Sequence, residues 1–142
     1  MVNNKYVFIT DFDGTVTQKD FFYHIADKFL SKEDVYPWAE YQSGEKTHFD
    51  ALNEIFKNLH IDQETLHSTI IEIPIEKCFS TTVGFCKDKG IDVYIVSAGA
   101  NYYIEYFLRH FGISDDLKIV ANPSHYDPVN GLSMYRLEDT SP

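Results

Sequence analysis

The chain has 142 residues, enough for one domain or for a small core carrying an inserted cap. Its 44% hydrophobic and 15% aromatic content is that of a buried core and excludes a disordered polymer. A net charge of −10, from 22 acidic against 12 basic residues, excludes the basic surface that nucleic acid or anionic lipid needs. It leaves room for a small anionic substrate, because a bound cation and helix N-termini set the field locally. Cys78 and Cys86 are too few for a disulfide framework, and their spacing fits no zinc motif. Cys86 shares helical spacing with Phe79 and Val83 and reads as a buried thiol. The histidines are scattered, and the pair His60 and His67 reads as solvent-exposed rather than metal-binding. No signal-peptide region precedes the apolar run at residues 5–9, and no apolar stretch has the length of a membrane span. A soluble, cytoplasmic protein is the expectation.

Residues 6–10 read YVFIT, a short β-branched and aromatic run that predicts a strand buried on both faces of a parallel sheet. From 20 to 30 the chain reads as a helix, with Phe21, Phe22, Ile25 and Phe29 on one face. A capping pattern at 31–33 opens a short helix through Pro37 and Trp38. After Gly44, the stripe Phe49, Leu52, Phe56 and Leu59 predicts a third helix, and Asp62 is the N-cap expected of a fourth that ends near Ile71. Residues 20–71 thus predict an all-helical block. Residues 73–75, with Pro74, form a connector. Residues 77–89 are helical with Gly90 as the stop. DVYIVS at 92–97 predicts a second buried strand. Residues 101–111 form a helix stopped at Gly112, LKIVA at 117–121 a third strand, and Asn130-Gly131 the turn of a hairpin. Strands alternating with helices predict an α/β fold, a Rossmann-like parallel sheet with helices on its faces and an inserted helical cap.

Two loops carry chemistry. The first, Asp11-Phe12-Asp13-Gly14-Thr15-Val16-Thr17, follows the first strand directly, and in open α/β sheets the carboxyl ends of strands border the ligand crevice. Carboxylates two residues apart repel, and a Mg²⁺ ion, which favours oxygen donors, offsets that charge. A carboxylate is a competent nucleophile toward phosphorus once metal and donors neutralise the phosphoryl oxygens, and a second acid can protonate the leaving oxygen. The competing reading is a β-hairpin turning at Asp13-Gly14, against which the poor alternation of YVFIT counts. The second loop, Ser97-Ala98-Gly99, sits between the second strand and a helix. A hydroxyl, a glycine and a helix N-terminus make a phosphate-binding corner, although for this loop alone a plain helix N-cap is the commoner explanation.

Taken together, DFDGTVT after one strand and YIVSAG after another resemble the first two motifs of the haloacid-dehalogenase superfamily. The helices between them resemble the cap of its phosphoserine-phosphatase-like branch. GANYYIEYFL after Ser97 is also similar to related methylthio-sugar phosphate phosphatases. The resemblance implies a HAD-like core at residues 1–19 and 72–142 and a helical cap at 20–71. It implies a phosphatase acting on a small phosphorylated metabolite through a phospho-aspartate. Asp11 would be nucleophile and Mg²⁺ ligand. Asp13 would be general acid/base, with its backbone carbonyl on Mg²⁺. Ser97 would hold the phosphoryl group, with backbone amides around Gly14, Thr15, Ala98 and Gly99. Asp20 would face the leaving group, and a helix N-cap is the equal alternative. The cap aromatics Phe22, Tyr23, Trp38 and Tyr41 are candidates to enclose that group, with core packing the expected role of Phe22.

The family also carries a lysine and a further acidic motif after later strands. Here the lysine after Ser97 is Lys118, inside a strand. Asp115-Asp116 precede that strand and read as a solvated loop, and Glu138 and Asp139 have no strand before them. The leading expectation is the N-terminal portion of a longer protein. A partner chain that supplies the missing strands and a non-catalytic relative are the alternatives. An incomplete sheet would expose apolar surface and favour self-association. A binding module without turnover and a phosphotransferase using the same intermediate stand beside hydrolysis.

Overall fold

A computed structural model describes residues 5–113, 115 and 117–137. Its strands are β1 (Val7–Thr10), β2 (Asp92–Ala100), β3 (Leu117–Asn122), β4 (Ser124–Asp127) and β5 (Gly131–Met134). Between β1 and β2 lie α1 (Phe21–Phe29), α2 (Tyr36–Gln42), α3 (His48–Phe56), α4 (Gln63–Ile71) and α5 (Phe79–Asp88), and between β2 and β3 lies α6 (Asn101–His110). Strands β1, β2 and β3 form a parallel sheet with β2 in the centre, Phe8 pairing with Val93 and Ile95 with Ile119. The α/β reading of the sequence is the architecture found.

The helical insert is closed at its base. Thr17 and Ile75 form an antiparallel bridge, flanked by Gln18 N to Pro74 O at 2.8 Å and Glu76 N to Val16 O at 2.8 Å. Entry and exit of the insert therefore run side by side. Side-chain caps start three of its helices: Asp20 on Phe22 N, Thr47 on Asp50 N and Asp62 on Thr65 N. The pattern at 31–33 closes a turn instead. Ser31 and Asp34 exchange backbone-to-side-chain bonds of 2.9 and 3.2 Å, and α2 begins later, at Tyr36 with Pro37 in its first turn.

One hydrophobic core runs through insert and sheet together. Ile25, Ile55 and Leu66 of the helices belong to the same buried cluster as Phe12, Ile95, Ile104 and Phe107. Cys86 is buried in α5. His67, expected to be exposed, is half-buried: its ring stacks on Tyr106 at 4.0 Å and its Nε2 lies 2.9 Å from the Tyr102 hydroxyl.

The first strand departs from expectation. Val7 and Ile9 are 51% and 62% exposed, so β1 is not buried on both faces. In the parallel register, Val93, Ile95 and Ala121 point toward the helices and are covered. Val7, Ile9, Val96 and Val120 point the other way and are exposed. Among the described residues no further strand pairs with β1 and no helix covers that face. The turn at Asn130-Gly131 does join a hairpin, β4–β5, whose Asp127 pairs with Gly131. That hairpin docks on the insert: Met134 N donates to Asn53 Oδ1 at 2.9 Å, and the Tyr126 hydroxyl bonds to Ile61 O. Asp115 is exposed, whereas Asp116, Glu138 and Asp139 lie outside the described residues.

Candidate active site

The loop after β1 is a tight turn and not a hairpin. The carbonyl of buried Phe12 accepts from Thr15 N, Val16 N and Thr17 N at 3.1, 2.9 and 3.3 Å. Gly14 sits at φ +74°, the left-handed region that a side chain resists. Its amide donates to the hydroxyl of buried Thr17 at 3.0 Å, and that hydroxyl donates to Lys19 O at 2.9 Å. This pins both ends of the loop and holds the first acidic pair in place.

Asp11 leaves the end of β1 exposed, its Oδ1 accepting from the next amide, Phe12 N, at 2.7 Å. Asp13 turns inward. Its Oδ1 accepts from Phe21 N at 3.0 Å and its Oδ2 accepts from the Tyr103 hydroxyl at 2.6 Å. Burial, followed by the negative charge of Asp20, pushes the Asp13 carboxyl up to about 7. The bonds from Tyr103 and Phe21 oppose the rise, and the charge of Asp11 adds to it. Asp13 can therefore give and take a proton near neutrality. Asp20 caps α1 by accepting from Phe22 N at 2.9 Å, and burial, with the charge of Asp11, raises its carboxyl too. It is an N-cap and a wall of the same cavity at once.

The second loop differs from its expected form. Ser97, Ala98 and Gly99 do not form a turn before a helix, since β2 continues through them to Ala100. Ala100 pairs with Asn122 after an irregularity in the ladder, and Asn122 Nδ2 donates to Ala98 O at 2.8 Å. These bonds to β3 keep the segment extended. The N-cap of α6 is Ala100, so Ser97 caps nothing, and its hydroxyl accepts from Gly99 N at 3.0 Å. The need for glycine at 99 is steric: a Cβ there would lie 1.9 Å from the Tyr103 hydroxyl and 3.1 Å from Asp13 Oδ2.

A cavity of about 160 Å³ opens at these loops. Asp11, Asp13 and Asp20 form its acidic floor, with Ala98 and Gly99 beside them. Phe22, Trp38, His48, Leu52 and Phe56 of α1–α3 form its roof. Gly14, Thr15 and Ser97 do not line it. Of the cap aromatics, Phe22 and Trp38 do. Tyr41 stands behind them, its ring 5.0 Å from Trp38 and 5.3 Å from His48, and Tyr23 is exposed. Sequence reasoning passed over Tyr103, His48, Leu52 and Phe56. The signal available was the spacing of Leu52 and Phe56 on one helix face, which read only as core.

Among the described residues no lysine or arginine lines the cavity, and no three His, Cys, Asp or Glu side chains converge as a metal cluster. The exposed Asp11 carboxylate, beside Asp13, leaves hard oxygen donors with no lysine or arginine among the described lining residues to offset them. That donor set fits a cation retaining most of its water, as Mg²⁺ does. Lys118 is not such an offset: it lies on the open sheet face, 3.4 Å from the Tyr94 hydroxyl and 3.6 Å from Asp92.

A parallel sheet with acidic residues at its carboxyl edge is an arrangement that haloacid-dehalogenase-type folds share, and solved structures of that fold match this chain. A HAD family hydrolase of Salmonella enterica serovar Typhi superposes with a TM-score of 0.74 at 16% identity, over 89% of this chain and 43% of that one. A phosphoserine phosphatase solved as its phospho-aspartyl intermediate analogue superposes at 0.69 with 18% identity, over 92% and 63%. The chain belongs to the family described as "Putative Phosphatase", whose model matches residues 6–139. Curated relatives are named 2-hydroxy-3-keto-5-methylthiopentenyl-1-phosphate phosphatase. That of Brevibacillus brevis is 28% identical over 88% of this chain and 57% of its own length. That of Geobacillus thermodenitrificans is 30% identical over the same shares, 88% and 57%. The chain thus spans little more than half the length of these relatives.

Proposed function

We propose that this chain carries the nucleophile and acid/base of a phosphomonoester hydrolase acting on a small phosphorylated metabolite. The observation that carries the reading is the pairing of an exposed Asp11 with a half-buried Asp13 of raised pKa at one small cavity. The Asp11 carboxylate attacks phosphorus, and the bond from phosphorus to the leaving oxygen breaks with its electron pair on that oxygen. Asp13 gives that oxygen its proton. Asp13, now a carboxylate, takes a proton from water, whose oxygen attacks phosphorus. The bond between phosphorus and Asp11 then breaks and phosphate leaves. Mg²⁺, held by the Asp11 carboxylate and the Asp13 backbone carbonyl, would neutralise charge on the phosphoryl oxygens. Ala98 and Gly99, which line the cavity, are proposed to border the phosphoryl group, whereas Gly14, Thr15 and Ser97 stand outside the lining, and the Gly14, Thr15 and Gly99 amides donate to Thr17, Phe12 and Ser97.

The leaving group would meet the roof. Phe22, Trp38, Leu52 and Phe56 offer apolar and aromatic surface, and no lysine or arginine among the described lining residues offers a partner to a carboxylate. That surface suits a methylthio-pentenyl phosphate, the substrate in the names of the curated relatives, better than phosphoserine. Residues 20–71 are proposed as the cap that supplies this specificity, within a cytoplasmic enzyme. Among the described residues no helix is long and apolar enough to cross a membrane. The lack of a lysine or arginine among the described lining residues favours a second reading, a phosphate-binding relative without turnover.

The test is phosphate release from a panel of small phosphomonoesters, with and without Mg²⁺, by this chain and its Asp11→Asn variant. Mg²⁺-dependent release that disappears in the variant supports hydrolysis. Mg²⁺-dependent binding of a phosphate analogue without release supports the second reading.

A further inference from the structure

Tyr103 sits where the two halves of the molecule meet. It projects from α6, is 2% exposed, and places its hydroxyl 2.6 Å from Asp13 Oδ2. Its ring stacks on Phe21 at 4.0 Å and 22°, and the Phe21 amide is the donor to the other oxygen of the same carboxyl, at 3.0 Å. Asp13, Phe21 and Tyr103 therefore form a closed unit: both carboxyl oxygens are held, and the two holders pack on each other. Phe12 and Phe56 flank the ring at 6.1 and 6.3 Å. The space for the hydroxyl exists only because residue 99 has no Cβ. A carboxyl held at both oxygens keeps one rotamer, whereas a free aspartate side chain samples several.

We propose that Tyr103 is a positioning residue for proton transfer by Asp13, and that Gly99 is its steric counterpart. The proposal rests on the phosphatase reading above. The hydroxyl donates to the carboxylate form, so it stabilises Asp13 after its proton has moved to the leaving oxygen. The stack on Phe21 links the first residue of α1, and hence the start of the helical insert, to the orientation of the acid.

The test replaces the hydroxyl and leaves the ring, Tyr103→Phe, and compares two substrates. An alkyl phosphate needs a proton on its leaving oxygen, whereas p-nitrophenyl phosphate has a leaving group stable as an anion. Read as the rate of leaving-group release in a single turnover, before the attack of water that is common to both esters, the expected result is a loss of about 10-fold on the alkyl ester and less than about 2-fold on the aryl ester, part of what a general acid contributes. Equal losses on both esters would overturn the proposal, since a general disturbance of structure does not sort by leaving group. A second measurement needs no turnover: the Hα–Hβ couplings of Asp13 by NMR. They should report one rotamer in the native chain and averaging in Tyr103→Phe, and an unchanged single rotamer would overturn the proposal. Absence of Asp11-dependent release in the native chain overturns the hydrolase reading instead. The couplings alone then decide whether Tyr103 fixes the carboxyl.

Discussion

Replacing Asp13 by Asn should stabilise the metal-free chain, and the gain should grow with pH. Asp13 goes from an unfolded value near 3.8 to about 7 in the folded chain, chiefly because it is buried and faces Asp20. A group whose folded pKa is raised binds more protons in the folded state. Its contribution is full below the unfolded pKa and is lost as pH rises through the folded one. A rise of about three units corresponds to about 4 kcal/mol lost by pH 8, and only about 1 kcal/mol by pH 4.5. The amide is nearly isosteric. Its oxygen can accept from Phe21 N, and its NH₂ can donate to the Tyr103 hydroxyl, which turns to accept. Any hydrogen-bond loss from the swap is independent of pH and cancels in the comparison. Urea unfolding in EDTA at pH 4.5 and pH 8 should show the advantage of Asp13→Asn growing by about 3 kcal/mol between the two conditions. Parallel stability profiles for the two chains would refute the claim that Asp13 is forced to hold a costly charge.

Gly131→Ala should destabilise the chain by about 2 kcal/mol or more, measured by urea unfolding, because overpacking and a strained turn add there. Residue 131 has φ +76° and a Cβ would meet the Lys57 carbonyl at 2.4 Å, where the hairpin docks on the insert. Trp38→Ala removes the ring that covers the cavity beside Phe22, and it should raise KM about 10-fold with a smaller change in kcat, as expected for loss of uniform binding. Ile9→Lys places a charge on the open face of the sheet, where Ile9 is 62% exposed. Sedimentation velocity should show self-association of the native chain and a shift toward monomer in Ile9→Lys. A clean native monomer would count against that face as a contact surface.

The elements were legible where a residue acts through its neighbours in sequence. Asp62 caps the helix its position predicts, Asn130-Gly131 turns the hairpin, and Phe49 to Phe56 mark a helix by spacing alone. The fold class followed from their order. The environment of a strand was less legible: YVFIT is apolar throughout, but whether both faces are covered depends on chain packed from elsewhere. The acidic loop was visible because Asp11 and Asp13 are neighbours on one turn. Tyr103 was not, because it is 90 residues from Asp13 and within α6 it reads as one more apolar position beside Ile104 and Phe107. Likewise a serine and a glycine after an apolar run predict a turn into a helix. Here the bonds from Asn122 to the Ala98 backbone keep the segment in the sheet, a contact that local sequence does not encode.

The central claim is that Asp11 is the atom donor to phosphorus, and it is tested by trapping. Asp13→Asn, which lacks the base needed to activate water, is mixed with Mg²⁺ and p-nitrophenyl phosphate, acid-quenched, and analysed by intact-mass and peptide mass spectrometry. One phosphoryl increment on the peptide containing Asp11, absent when Asp11 is also changed to Asn, is the result predicted. Turnover of the native chain with no phosphoryl group on that peptide, or with one placed elsewhere, would contradict it.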